Sequence, residues 1–306
     1  MLFDDDARRS GVWTHMSAYE WLPDVFDLVA VADPDGGRLA RASLRRPALR
    51  CYASLEAMLA AEQLDVVSLC TPPELHAQQL ARAAGRVRAI ICEKPLGSDN
   101  LEACRAGVNA CAAHGTLLAV NYHRRLAGVV PFAHSHVQSR AFGALRFASL
   151  LYAGPLDAMG SHAVDLMCHL AGTLTLRSVT PGDDGRFGAT FHAAQGAVVT
   201  VHAVAPREDF LFEVDLVGAE GRVRIVDDGA ELQCWRYHAS ERFGGYRELV
   251  AATPAQVPMA ERFLPTFLEV AEVLDGRRSA LTSDGASALR TQALLEQIRM
   301  QTGHSA

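Results

Sequence analysis

The chain contains no apolar run approaching 18 residues, the length that a membrane-spanning helix requires. Its opening, Met-Leu-Phe-Asp-Asp-Asp, is acidic where a secretory leader is basic. Neither a membrane span nor a secretory signal is therefore expected, and a cytoplasmic location is. Seven cysteines (Cys51, Cys70, Cys92, Cys104, Cys111, Cys168 and Cys234) form no Cys-x-x-Cys pair. An odd number sitting mostly in apolar patterns reads as reduced core residues, not as a disulfide framework. The net charge is −6 with no basic stripe, so nucleic acid is not an expected partner. No repeat, low-complexity tract or Gly-x-Ser-x-Gly turn is present, which removes the usual hydrolase signature. Glycine is scarce at the start: Gly11 is the only one before Gly36.

What is present is an ordinary globular composition, 49% hydrophobic and 21% charged over 306 residues, ample for two domains. Short apolar runs at 25–33, 65–70, 89–92 and 117–121 read as strands. Helical patterns lie between and before them at 14–22, 38–44, 54–60, 73–84 and 98–114. This alternation predicts right-handed crossovers and a parallel sheet. Beyond about residue 125 the pattern changes. A helix at 131–140, a strand at 145–152 and a helix at 161–170 precede strands at 187–192, 198–204, 210–217, 222–226 and 231–237. Short turns and period-two alternation predict an antiparallel sheet there. Two helices, 259–274 and 284–300, close the chain. The expected domains are 1–122 and 123–306, with the closing helices packing back towards the first.

The stretch Ala89-Ile90-Ile91-Cys92-Glu93-Lys94-Pro95-Leu96-Gly97 ends a buried strand with Glu93 and Lys94 at its carboxyl end, where open α/β sheets place ligands. Pro95 fixes its own φ and restricts Lys94. A lysine aimed into a cleft is a candidate proton donor, because desolvation lowers its pKa towards the working range. The bland alternative is a surface Glu-Lys pair. Upstream stands Thr71-Pro72-Pro73-Glu74-Leu75-His76, which taken alone is a proline-started helix with an exposed histidine. Downstream, Asn121-Tyr122-His123-Arg124-Arg125 follows the last parallel strand, and its arginines read either as anion-holding groups or as a solvated pair. Gly160-Ser161-His162-Ala163-Val164-Asp165 places His162 and Asp165 three apart on one helix face. There the carboxylate can fix the tautomer of a proton-transferring imidazole; a capping or core histidine is the plainer reading. His162, Asp165 and His169, with His134 and His136, have helical metal-ligand spacing. His169 reads as a packing residue, and no metal is expected.

Taken in this order, Thr-Pro-Pro-x-x-His, Glu-Lys-Pro and Gly-Ser-His-x-x-Asp resemble the motifs of the Gfo/Idh/MocA oxidoreductases, named for glucose–fructose oxidoreductase and inositol dehydrogenase. The resemblance covers roughly residues 11 to 301. It implies a Rossmann-type parallel sheet domain followed by an α+β domain whose open antiparallel sheet is covered by helices on one face. Lys94 and His162 become the implied catalytic residues. Asn121, His123, Arg124, Arg125 and Asp165 face the substrate. Gly11, His15, Asp33, Thr71, Pro72, His76, Glu93, Lys94 and Asn121 face the cofactor. That cofactor is NAD, with NADP possible; Asp33 favours NAD because an acid repels a 2′-phosphate. The family often carries an aspartate four residues before the histidine, where this chain has Ala158, with Asp157 one residue away.

The resemblance also implies a first strand and a Gly-x-Gly-x-x-Gly turn before Gly11, of which Ser10-Gly11-Val12-Trp13-Thr14-His15 looks like the tail. Ten residues stand there instead, and after Leu2-Phe3 they are mainly charged. Either the natural chain begins further upstream or conventional cofactor binding has been lost, and the chain as written is expected to bind NAD weakly or not at all. Three functions remain open at this point. One is hydride transfer on a hydroxyl or ketone of a sugar or cyclitol. Another is non-redox binding, and the third is a redox-neutral lyase or isomerase using Lys94 and His162. A polyhydroxylated small molecule is the expected partner. A homodimer or homotetramer is expected through the free face of the sheet between about Leu145 and Tyr237.

Overall fold

The computed structural model describes residues 11–98, 100–205, 208–252, 255–256 and 262–303. They form two compact units. The first comprises the chain up to Asn121 together with Phe263–Leu289; the second comprises Tyr122–Arg262 and the chain from Arg290 onward.

The first unit opens with α1 (His15–Trp21), started by Thr14 and Ser17, which bond each other's backbone N–H in a capping box. There follow β1 (Ala30–Ala32), α2 (Gly36–Arg45), β2 (Arg50–Tyr52), α3 (Leu55–Ala61), β3 (Val66–Leu69), α4 (Pro73–Ala83), β4 (Ala89–Cys92), α5 (Leu101–Ala113) and β5 (Leu117–Val120). Side chains of Asp35, Ser54 and Asn100 cap α2, α3 and α5, supplying acceptors to N–H groups that have no partner within the helix.

The strands form two parallel sheets, β1-β2 and β3-β4-β5. Among the described residues no strand joins β1 to β3. Residues 1–10, on which the expectation of a missing central strand rests, lie outside the described residues. The division has a visible effect on β1. The apolar pattern predicts nine residues of strand, but only Ala30–Ala32 pair, with Arg50–Tyr52, and all three are only partly buried. Every residue of β4, which has a neighbour on each side, is buried. The sequence reading missed β2, because Arg-Cys-Tyr on a sheet edge carries no apolar run.

In the second unit come α6 (Val130–Gln138), β6 (Leu145–Ala153), α7 (Ser161–Ala171), β7 (Leu174–Pro181), β8 (Phe187–Ala193), β9 (Val198–Ala205), β10 (Phe212–Gly218), β11 (Gly221–Val226), β12 (Glu231–Ala239), β13 (Arg247–Ala251) and β14 (Ala255–Gln256). The nine-stranded sheet runs β13-β12-β11-β10-β6-β9-β8-β7, with β14 beside β12. It is antiparallel except where β6 lies parallel to β9, so it is mixed, not antiparallel throughout. Sequence reasoning missed β7 and β13. Both are half-polar strands at the sheet's ends, where one side has no neighbour to demand alternation.

On the covered face, Ala148, Leu150 and Tyr152 of β6 meet Val164, Met167 and Leu170 of α7 in one core. On the other face, Phe147, Leu151, Val198 and Val204 are each more than a third exposed. Two helices close the chain. α8 (Leu264–Leu274) starts later than the expected 259, and residues 257–261 lie outside the described set. Its Leu264, Phe267 and Val270 pack on Ala89, Ile91 and Ala119. α9 (Gly285–Thr302) begins in the first unit and continues into the second. No helix among the described residues is long and apolar enough to cross a membrane.

A strand paired on one side and partly exposed opens more readily than one sealed on both. In native-state hydrogen exchange, the β1 amides are expected to exchange at least about 100-fold faster than those of Ile90 and Ile91. Equal protection of β1 and β4 would show that the two sheets open as one.

Candidate active site

The register of the three-stranded sheet pairs Leu69 with Cys92 and Cys92 with Val120. The residue after each strand (Cys70, Glu93, Asn121) therefore stands along one carboxyl edge. The Glu93 and Asn121 N–H groups continue the ladder to the carbonyls of Leu69 and Cys92, both at 2.8 Å.

Three donors converge on the Glu93 carboxylate. Oε1 accepts from His15 Nε2 at 2.8 Å and Asn121 Nδ2 at 2.7 Å, and Oε2 accepts from the Lys94 N–H at 3.2 Å. His15 Nδ1 lies 2.8 Å from Ser68 Oγ, which the Tyr19 hydroxyl also meets at 2.7 Å. The edges of Phe263 and Phe267 enclose the imidazole. Burial disfavours the imidazolium, but the Cys70 sulfur and the Glu93 carboxylate outweigh it and raise His15 to about 10. Burial also works against the Glu93 charge, yet His15, Asn121 and Lys94 overcome it and hold Glu93 down at about 2. The result is an ion pair between a buried imidazole and a partly buried carboxylate.

Lys94 follows immediately, half-buried. Of the chain's 29 lysines and arginines it alone is a lysine. The peptide to Pro95 is cis. Beyond it Leu96 is fully buried, and a Cβ on Gly97 would lie 2.3 Å from Cys104 Sγ, so the turn is seated against α5. The Pro95 carbonyl lies 3.0 Å from His76 Nδ1, while His76 Nε2 lies 2.8 Å from the Thr71 carbonyl.

In the second unit, His162 is the second residue of α7 and 5% exposed. Tyr122 and His123 meet its ring edge-on at 5.8 and 4.8 Å. A π-helical turn, Leu156–Gly160, precedes it; such turns concentrate at functional sites. The glycine of Gly-Ser-His has a steric cause here. A Cβ on Gly160 would lie 2.4 Å from the Tyr152 hydroxyl oxygen.

Both arginines after Asn121 are buried, which sets aside the solvated-pair reading. Arg125 donates Nε and Nη2 to the two Asp165 oxygens at 2.7 and 2.5 Å, and Thr291 Oγ1 donates to Asp165 at 3.0 Å. Burial opposes the Arg125 charge, but Asp165 outweighs it and holds the guanidinium above its ordinary range. Arg124 and Arg262 share Asp228, and Arg124 stacks on Phe212 at 4.0 Å. Asp165 is thus committed to Arg125 and Thr291. The rings of His134 and His169 stack at 4.1 Å, and burial lowers His169 to about 3.

A family model described as "Oxidoreductase family, NAD-binding Rossmann fold", that of Gfo/Idh/MocA, matches residues 11–122. Over that stretch the chain is similar to the Gfo/Idh/MocA oxidoreductases. A D-apiose dehydrogenase of Paraburkholderia graminis is 27% identical over 322 residues, covering 92% of this chain and 82% of that protein. An inositol 2-dehydrogenase of Leifsonia xyli is 40% identical over 76 residues, 25% of this chain and 22% of that one. Among solved structures, a levoglucosan dehydrogenase in complex with NADH and levoglucosan superposes with a TM-score of 0.80 at 17% identity, covering 94% of this chain and 93% of that one. That structural likeness speaks for the fold.

The remaining family positions are placed as follows. Asp33 follows β1; its Oδ1 accepts from the Asp35 N–H at 2.8 Å, and Arg38 lies 3.5 Å from its Oδ2. Thr71 Oγ1 donates to Gln79 at 2.6 Å, and Pro72 precedes α4. Gly11 has a left-handed φ of 91°. The residues fit the nicotinamide end of a dinucleotide. Asn121 is fully buried, Glu93 fixes its amide so that Nδ2 points at the carboxylate, and its Oδ1 has no hydrogen-bond partner among the described residues. A buried acceptor so placed suits a carboxamide N–H. Sequence reasoning missed Ser68, Tyr19, Asp228 and Arg262, which act across long sequence separations. The solitary lysine was the one signal countable from composition.

Replacing Glu93 by Gln leaves His15 without its counter-charge, at an expected cost of about 3 kcal/mol near pH 6. His15, raised from 6.5 to about 10, contributes fully below pH 6.5 and loses that contribution as the pH rises towards 10. Glu93, lowered from 4.5 to about 2, contributes fully above pH 4.5 and loses it as the pH falls towards 2. The stability gap between wild type and Glu93→Gln in urea unfolding should therefore be widest from pH 4.5 to 6.5 and narrow on both sides. A gap that does not change with pH would remove the ion pair from the account.

Proposed function

We propose that the chain is an NAD-dependent oxidoreductase acting on a hydroxyl or ketone of a sugar, cyclitol or related polyhydroxylated molecule, with Lys94 moving the hydroxyl proton. The observation that carries this reading is the single lysine. In a chain that uses arginine at every other such position, the one amine retained stands at the carboxyl end of the central buried strand. A guanidinium keeps its proton at any working pH, whereas a partly desolvated amine exchanges one. When bound, the nicotinamide supplies hydride acceptance or donation. Asn121 Oδ1 would hold the carboxamide, and Asp33 the adenosine ribose hydroxyls, favouring NAD over NADP. His162, at the start of a buried helix after a π turn, would assist the substrate oxygen. His123 and Arg124 would line the substrate side of the second unit. The family's NAD-binding description, and relatives named for apiose and inositol, support the cofactor and the substrate class.

Lys94→Ala and Lys94→Arg proteins, assayed for NADH formation on a panel beginning with myo-inositol and D-apiose, are expected to fold and to lose roughly 10²–10⁴-fold in turnover. Arginine should not rescue, although it keeps the charge. Wild-type turnover in either protein would overturn the assignment.

A second copy of the chain, in a homodimer or homotetramer, would cover the free sheet face that carries Phe147, Leu151, Val198 and Val204. Phe147→Lys with Leu151→Lys should shift sedimentation from oligomer to the 33.0 kDa monomer. A wild-type chain that is already monomeric at micromolar concentration would remove the proposal.

A further inference from the structure

We propose that His15 and His76 are positioning residues for Lys94, clamping the Glu93-Lys94-Pro95 turn from α1 and α4, and that neither touches the cofactor. The inference rests on the reading of Lys94 as the proton-transfer group. It differs from the role that the family resemblance implies for these two histidines, which is contact with the nucleotide.

The geometry assigns every ring nitrogen to protein. His76 is fully buried, with Nδ1 on the Pro95 carbonyl at 3.0 Å and Nε2 on the Thr71 carbonyl at 2.8 Å. A carbonyl oxygen only accepts, so both contacts are hydrogen bonds when the ring carries both protons, and one is in either neutral tautomer. His15 is 6% exposed, with Nδ1 on Ser68 and Nε2 on Glu93, both at 2.8 Å.

The turn itself needs outside support. It follows β4 without entering a helix or strand, and proline contributes no donor. Beyond Glu93, whose N–H continues the ladder to Leu69, side chains meet the backbone at Lys94 and at Pro95. The Lys94 N–H meets the Glu93 carboxylate at 3.2 Å, which His15 and Asn121 fix in turn, and the Pro95 carbonyl meets His76. Each histidine is anchored on its far side, His15 through Ser68 and Tyr19 and His76 through Thr71. The Lys94 backbone is thus bracketed by two buried imidazoles brought from different helices. An amine on a flexible four-carbon stem acts at a defined place only if its root is fixed, and a displacement of about 1 Å costs roughly 100-fold in rate.

The two nitrogens of each ring allow a test that separates positioning from packing. Glutamine's amide nitrogen takes the place of Nε2, and asparagine's that of Nδ1. His15→Gln and His76→Asn therefore keep the bond that faces the turn. His15→Asn and His76→Gln keep only the bond that faces away. Because Lys94 is the only lysine, reductive ¹³C-methylation labels it and the α-amine alone, and its resonance and titration can be followed directly. For the two outward-bonded variants we expect a displaced Lys94 resonance, a kcat on myo-inositol or D-apiose lower by roughly 100-fold, and an NADH Kd by calorimetry within about threefold of wild type, a difference under 1 kcal/mol. The two turn-facing variants should recover kcat to within about tenfold and restore the resonance.

Equal behaviour of both isosteres at a position would reduce that histidine to packing and overturn its role. NADH affinity falling as far as kcat would make it a cofactor ligand, which overturns the role equally. If Lys94→Ala keeps its activity while the Lys94 resonance still follows the isostere pattern, the clamp stands and the catalytic reading falls.

Discussion

A carboxylate drawn partly out of water is held in place by the donors that meet it, and the first unit is arranged so that Glu93 has them. The in-register ends of β4 and β5 set Glu93 and Asn121 side by side, α1 delivers His15, and the turn that follows returns its own N–H. None of these partners adjusts independently. Moving α1 breaks the contacts to Ser68 and Glu93 together, and slipping β5 by one residue removes the Asn121 amide. A single charge thus ties a helix, two strands and a turn to one geometry, and Lys94 inherits that geometry as the next residue along.

The second unit uses the same device twice, each time to hold arginines on a buried acid. Asp165 is shared by Arg125 and Thr291, and Asp228 by Arg124 and Arg262. Such pairs contribute little net stability against an apolar substitute of equal volume, but they are strongly destabilising to break. Their effect here is to fix the start of the unit and the middle of α7 relative to α9. Ser161 and His162 sit at the first turn of that helix and are placed by it.

Much of this was legible from the residues because local chemistry specified it. Pro73 started α4, the Ser54 cap started α3, and the buried run Ala89–Cys92 announced β4 and the edge on which Glu93 and Lys94 stand. What the residues concealed was set by neighbours. β2 and β7 are strands because of what lies beside them, and a nine-residue stretch, 25–33, yielded a strand of three because only one edge is paired among the described residues. The arginines after Asn121 could be read as anion-holding groups or as a solvated pair, since the acids that pair with them stand 40 and 104 positions away. His15 and His76 were recognisable as motif positions. That their nitrogens serve the Glu93 turn is a fact of three-dimensional placement, which no spacing encodes.

The completion of the first unit by Phe263–Leu289 has a consequence for how the protein is made. Leu264, Phe267 and Val270 of α8 cover Ala89, Ile91 and Ala119; Ser283 donates to the Val120 carbonyl, and Asp284 bridges Ala119. On the ribosome, β3, β4 and β5 emerge long before the residues that seal them, and the whole of the intervening sheet is synthesised in between. The N-terminal unit is therefore the first to be translated yet stays unsealed until Phe263–Leu289 have been made, and its apolar face is open to chaperones for most of the time that the chain takes to grow.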